Sequence, residues 1–197
     1  MNNIRLLEKT QKGWWSLEEI ASLLSLSRKA ASVFVSRSVD RGDLKRLKRG
    51  LYVLPSWLAK TSEDHVFRLS NLIQTPSYIS LLTALSFYGV STQLPQSSCE
   101  AISKIRSIKY EVEGFIFSYR LLPNKLFTNF ERQNAFFIAT PEKALADTLY
   151  LTSLGRYALD KSALDLSKID LQKLRKILNQ YPSSTIKYTR KYILENL

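Results

Sequence analysis

Ile4 and Leu7 place two apolar side chains one helical turn apart in an otherwise polar stretch, and predict a short helix over Ile4–Lys9 with Trp14 facing the same interior. Ser16 stands three residues before Glu19. That spacing lets a hydroxyl and a carboxylate satisfy the orphan amides of a helix start, and Leu17, Ile20, Ala21 and Leu24 follow at helical intervals. The second helix ends by Ser25. After a short turn, Ser27 can cap a third helix to about Val39, with Ala31, Val35 and Val39 repeating every four residues and Ala30 and Phe34 beside them. This leaves Arg28, Lys29, Ser32, Ser36 and Arg37 on the opposite side, and Gly42 marks the stop. From Leu44 to Pro55 two short β-capable runs flank Lys48-Arg49-Gly50, which reads as a tight hairpin closed by Pro55.

Polar residues over Ser56–Glu63 mark a boundary. Beyond it Val66, Leu69, Leu72 and Ile73 share one side of a helix that Pro76 breaks, and Ser77–Tyr88 reads as a strongly apolar helix ended by Gly89. Between Ser97 and Leu122 the chemistry changes to β: Cys99–Ile102, Ile108–Val112 and Phe115–Leu121 alternate in part, and Ala135–Ala139 is a further strand. Thr140-Pro141-Glu142 then starts a helix with a capping hydroxyl, a proline at the first position and an acid in the first turn. Leu166–Leu197 reads as amphipathic helix, interrupted at Tyr181-Pro182-Ser183-Ser184.

Charge sharpens this picture. The chain of 197 residues carries 29 Lys and Arg against 17 acids, a net charge of +12. Residues 1–60 hold 12 basic and 5 acidic side chains, and Arg28–Arg49 alone holds eight basic and two acidic. A charge run by itself is a solvated face. Here it falls on the exposed side of the third helix and on the hairpin after it. Three helices followed by a basic hairpin is the order of a winged helix, whose second helix of the helix-turn-helix enters the major groove while the wing reaches a neighbouring backbone. The chain therefore reads as α+β, an N-terminal winged helix-turn-helix over residues 1–56 followed by a mixed α/β C-terminal domain over residues 62–197. The expected partner is duplex DNA. Ser27, Arg28, Lys29, Ser32, Ser36 and Arg37 are the helix candidates, and Lys45, Arg46, Lys48, Arg49 and Tyr52 are the wing candidates.

Other classes find little support. A lone cysteine, Cys99, rules out a disulfide scaffold and a cysteine-based zinc site, and a single histidine, His65, gives a His-based triad nothing to draw on. We expect no metal, no cofactor and no catalytic residues. No stretch approaches the ~18 apolar residues of a membrane span, and Met1–Gln11 is polar and amphipathic rather than a secretory signal, so the expectation is a cytoplasmic protein with no membrane partner.

Arg41-Gly42-Asp43-Leu44 running into Leu47-Lys48-Arg49-Gly50-Leu51-Tyr52-Val53-Leu54-Pro55 resembles the N-terminal winged helix of AbiEi-type antitoxins of type IV toxin–antitoxin (abortive infection) systems. Tyr78–Gly89 resembles the helix that opens the family's C-terminal domain, and Ala139-Thr140-Pro141-Glu142-Lys143-Ala144-Leu145-Ala146-Asp147 resembles its strand-to-helix motif. The resemblance implies an autorepressor that binds inverted repeats in its own promoter. It also implies an antitoxin, acting in phage defence, that counteracts a nucleotidyltransferase-type toxin without a stable complex. No roles carry over to the last ~35 residues.

Three further features have rival readings. Glu142, Lys143 and Asp147 are the residue types of metal-dependent phosphodiester cleavage, which would make the protein a DNA-targeted nuclease. The plainer reading, which we adopt, is that Glu142 favours a helix N-terminus and Lys143 pairs with Asp147 at i, i+4. A stand-alone transcription factor whose second domain senses a ligand is the other alternative. Trp15 and Trp57 are candidates for bridging the domains, and Lys187, Arg190 and Lys191 form a basic stripe that is either a secondary DNA contact or a solvated face.

Overall fold

The computed structural model describes residues 3–10, 12–58, 60, 62–93 and 96–194. The first unit runs α1 (Asn3–Glu8), β1 (Trp14–Ser16), α2 (Leu17–Leu23), α3 (Arg28–Asp40), β2 (Lys45–Lys48) and β3 (Leu51–Val53). Its helix starts follow the sequence closely. Ser16 Oγ accepts from the Glu19 amide at 3.1 Å while the Glu19 carboxylate accepts from the Ser16 amide at 2.7 Å, and Ser27 Oγ accepts from the Ala30 amide at 3.2 Å. Gly50 takes a φ of +78° in the hairpin turn, a region that side chains disfavour. The three strands form an antiparallel sheet of order β1-β3-β2, so the unit has the element order of a winged helix. Its core is Ile4, Leu7, Trp15, Ile20, Val35, Leu44 and Leu54.

β1 at Trp14–Ser16 adds a strand to the elements expected, and two local expectations change: Ala30 is exposed while Ser38 is buried on α3, and Pro55 begins a one-turn helix, α4 (Pro55–Leu58), instead of closing the hairpin. Proline suits that first position because its missing N–H has no partner there.

The small sheet has two apolar faces. Pairing sets Trp15 opposite Tyr52, and Arg46 opposite Tyr52, on one face, with Trp14, Val53 and Lys45 on the other. Trp15 and Tyr52 pack on the first unit's helices. Trp14, Leu47, Leu51 and Val53 instead join the larger core, with Val66, Leu69 and Ile73 of α5 (Glu63–Ile73). Trp57 packs against both cores, its indole so close to Gly13 that a Cβ there would collide with the ring. Of the two tryptophans expected to bridge, Trp57 does so, Trp15 is enclosed in the first unit, and Trp14 takes the second place.

The second unit continues with β4 (Ser77–Ile79), α6 (Leu81–Phe87), β5 (Ser98–Ser103), β6 (Ile108–Val112), β7 (Phe115–Leu121), β8 (Phe130–Gln133), β9 (Phe136–Ala139), α7 (Pro141–Ser153), α8 (Leu171–Leu178) and α9 (Ser183–Thr189), with a π-helical turn at Arg190–Leu194. The strands form one mixed sheet of order β6-β7-β5-β4-β9-β8, parallel at β5–β7 and β4–β9. The apolar run Ser77–Tyr88 is therefore strand then helix. Ser77, Tyr78 and Ile79 are all buried in a central strand, so the alternation that would betray a strand is absent. β8 escaped notice because Phe130-Glu131-Arg132-Gln133 is a polar edge strand. The predicted C-terminal helix is a 3₁₀ turn at Leu166–Lys168 followed by α8 and α9, and its last three positions, 195–197, lie outside the described residues.

Thr140 Oγ1 accepts from the Lys143 amide and Pro141 opens α7 as expected, but the i, i+4 pair is no surface pair. Lys143 and Asp147 are fully buried, 2.7 Å apart. The ammonium also donates to the Leu126 carbonyl at 2.5 Å and the Tyr181 hydroxyl at 2.6 Å. Asp147 in turn accepts from Tyr78, Ser80 and Tyr181 at 3.0, 2.9 and 2.6 Å. Burial, reinforced by the Asp147 charge, holds both tyrosine hydroxyls well above their ordinary range. One ion pair thus ties β4, the start of α6, the loop before β8, α7 and the approach to α9. Removing one partner from a buried pair strands the other charge, which costs about 3–5 kcal/mol. Asp147→Ala should lose stability on that scale in urea denaturation, and a loss under about 1 kcal/mol would mean that the pair is not sealed from water.

Candidate nucleic-acid interface

The outward face of α3 is built by subtraction. Ala31 and Val35 are buried, with Phe34 and Val39 half-buried beside them, which leaves Arg28, Lys29, Ser32, Ser36 and Arg37 exposed. The structure brings these five together on one side of a helix of about 20 Å. Arg28 Nε lies 3.3 Å from a Glu18 carboxylate on α2, but both side chains are largely exposed. Such a pair contributes about 0–1 kcal/mol and yields readily to another anion. Ser27 is exposed too, yet its hydroxyl is committed to the α3 cap.

Val33 was not anticipated from sequence. It is 46% exposed, and with Lys29 and Arg37 it forms a stripe at four-residue spacing. The signal was available: an apolar β-branched residue on the stripe of the cations rather than on that of Ala31 and Val35.

The wing cations divide by strand alternation. Arg46 and Arg49 are exposed. Lys45 lies on the opposite face and pairs with Glu113, in the β6–β7 turn, at 3.1 Å. Lys48 Nζ donates to the Leu72 carbonyl of α5 at 2.6 Å, and partial burial lowers its pKa from the ordinary lysine value. Tyr52 is half-buried against the helices of the first unit. Lys45 and Lys48 therefore face the second unit, whereas Arg46 and Arg49 face solvent. Lys187, Arg190 and Lys191 are exposed on α9 and the turn after it. The three residues weighed for cleavage chemistry are not an open cluster: Lys143 and Asp147 are committed inside, and Glu142 is buried with Oε1 accepting from the Asp170 amide at 3.3 Å.

The matched region coincides with the unit that carries this face. Residues 3–55 match the family model of the AbiEi antitoxin transcriptional regulators. The resemblance drawn from Arg41–Pro55 holds over those residues, and the match ends where α4 begins. Tyr78–Gly89 and Ala139–Asp147 lie beyond it. No curated protein matches the chain. Among the described residues, no helix is long and apolar enough to cross a membrane.

Two serines on α3 separate scaffold from surface. Ser27→Ala removes the cap bond and should cost about 1 kcal/mol of stability. Ser32→Ala should stay within about 0.5 kcal/mol. Equal losses in thermal denaturation would contradict the assignment of Ser27 to the cap.

Proposed function

We propose that the protein is a DNA-binding autorepressor and antitoxin of a type IV abortive-infection system. In this reading it binds inverted repeats in its own promoter and counteracts a nucleotidyltransferase-type toxin without a stable complex. The observation that carries the DNA-binding part is the exposed face of α3, where three cations, two exposed hydroxyls and Val33 stand on a scaffold matched by a family of transcriptional regulators. A groove about 12 Å wide accepts such a helix. Arg28, Lys29 and Arg37 are long enough to reach phosphates or guanine edges, Ser32 and Ser36 can bond to bases, and Val33 offers an apolar contact to a thymine methyl. Arg46 and Arg49 supply the wing's phosphate contacts. The antitoxin part rests on the family match and on the resemblance of Ala139–Asp147 to the family's second-domain motif.

Binding to a duplex from the gene's own upstream region, measured by fluorescence anisotropy against salt, tests the first part. Arg46→Ala/Arg49→Ala should weaken binding to every duplex and flatten the slope of log affinity against log salt by about 1 per lost phosphate contact. Lys48→Ala should leave that slope nearly unchanged, because its ammonium is turned to Leu72. Val33→Ser should cost about 1 kcal/mol or more at the operator and little elsewhere, as a base contact does. Uniform losses from Val33→Ser, or a flattened slope from Lys48→Ala alone, would contradict this division of roles. For the second part, this reading expects a nucleotidyltransferase gene beside this one, and co-expression of the two should restore growth that the nucleotidyltransferase alone arrests; arrest unrelieved by co-expression would contradict it.

A further inference from the structure

Between the wing and the second unit lies a cleft of about 960 Å³ that DNA contact by α3 does not use. Its walls come from both units: Trp14, Lys48 and Leu51 on one side, and α5, β8 and β9 on the other. Its charged lining is mostly cationic, with Lys12, Lys48, Arg68 and Arg132 against Glu19. Lys12 is paired with Glu19, and Lys48 is held by the Leu72 carbonyl. Arg68 and Arg132 also line the cleft, and among the described residues neither has a carboxylate within ion-pair distance. Both are exposed to solvent. Phe137, 43% exposed, is paired across the β8–β9 register with Arg132, and Leu72, 39% exposed, adds to the apolar wall. Trp14 is buried, with the Arg68 guanidinium 5.3 Å from its ring centre, and its indole N–H has no hydrogen-bond partner among the described residues.

We infer that this cleft is a binding site for a small molecule that combines a flat aromatic ring with an acidic group. The ring lies on Phe137 and Leu72, while the acid takes Arg68 and Arg132 in charge-assisted hydrogen bonds. The volume falls within the range of small-molecule sites, which join apolar walls to a few convergent polar groups. A nucleoside monophosphate and an aromatic carboxylate share this chemistry. Such a ligand touches the wing as well as the second unit, so it shifts DNA affinity; that consequence rests on the DNA-binding reading above, whereas the site itself does not.

Calorimetry on the full chain without DNA decides the site. One arm uses AMP and GMP, the other benzoate and naphthoate. At least one compound should bind with a Kd below about 1 mM, and Arg68→Ala and Arg132→Ala should each weaken it by about tenfold or more. Thermal denaturation of the unliganded variants checks that they fold, as exposed arginines allow. Binding confined to the first arm identifies a phosphate as the acidic group, and binding confined to the second a carboxylate. Failure of all four compounds, or binding indifferent to both arginines, would overturn the site. DNA anisotropy with and without the bound compound then reads the coupling. A change of about fivefold or more is expected, and an unchanged affinity would overturn it.

Discussion

The three-stranded sheet of the first unit is the constraint on which the rest of the molecule depends. A strand sends successive side chains to opposite faces, so neighbouring tryptophans are assigned to different cores: Trp15 to the helices of the first unit, Trp14 to the second unit. Leu47, Leu51 and Val53 follow Trp14. Swinging the sheet away from α5 would return these side chains to water, at about 1.5–3 kcal/mol for each fully buried aliphatic residue. The wing is consequently anchored at its base and through Leu47 and Lys48, with Arg46 and Arg49 left to solvent. The outer face of α3, which rides on the same sheet, is held at a fixed attitude to the second unit. Lys45 to Glu113 and Lys48 to the Leu72 carbonyl reinforce that seam with charge.

The second unit has its own organising contact. A lysine and an aspartate enclosed in protein are a poor source of net stability, because desolvation offsets most of their attraction. Their value lies in geometry. Lys143 directs three donors and Asp147 accepts from three hydroxyls, so segments far apart in the chain are fixed in one relative arrangement. An apolar substitute would fill the space and leave that arrangement under-specified. The two constraints meet through α5, which packs on the wing sheet and on the large sheet together.

What the sequence disclosed, and what it hid, follows from how local each signal is. The caps at Ser16, Ser27 and Thr140 and the glycine of the hairpin are local chemistry, and all appear where the residues indicate. β4 was hidden because burial on both faces erases alternation, and β8 because an edge strand carries too many polar residues to show any. The five cations and hydroxyls of α3 were readable from helical periodicity. The wing was only half readable: its four cations look alike in sequence, but a period of two and the shift between Arg46 and Lys48 decide which of them meet solvent. The burial of Lys143 and Asp147 was beyond reach, since their i, i+4 spacing is the same on an exposed helix as on an enclosed one. The cleft was equally out of reach, because Trp14, Arg68 and Arg132 are joined only by the folded chain.

In the proposed function, α3 and the wing tip, held by the shared sheet, form the face that meets duplex DNA. Amide hydrogen exchange on the full chain, with and without a duplex from the gene's upstream region, tests it most directly. Protection on binding should concentrate in residues 27–41 and 46–50, with the strands β4 to β9 unchanged. Protection centred on the large sheet or on α9, with α3 unaffected, would contradict it.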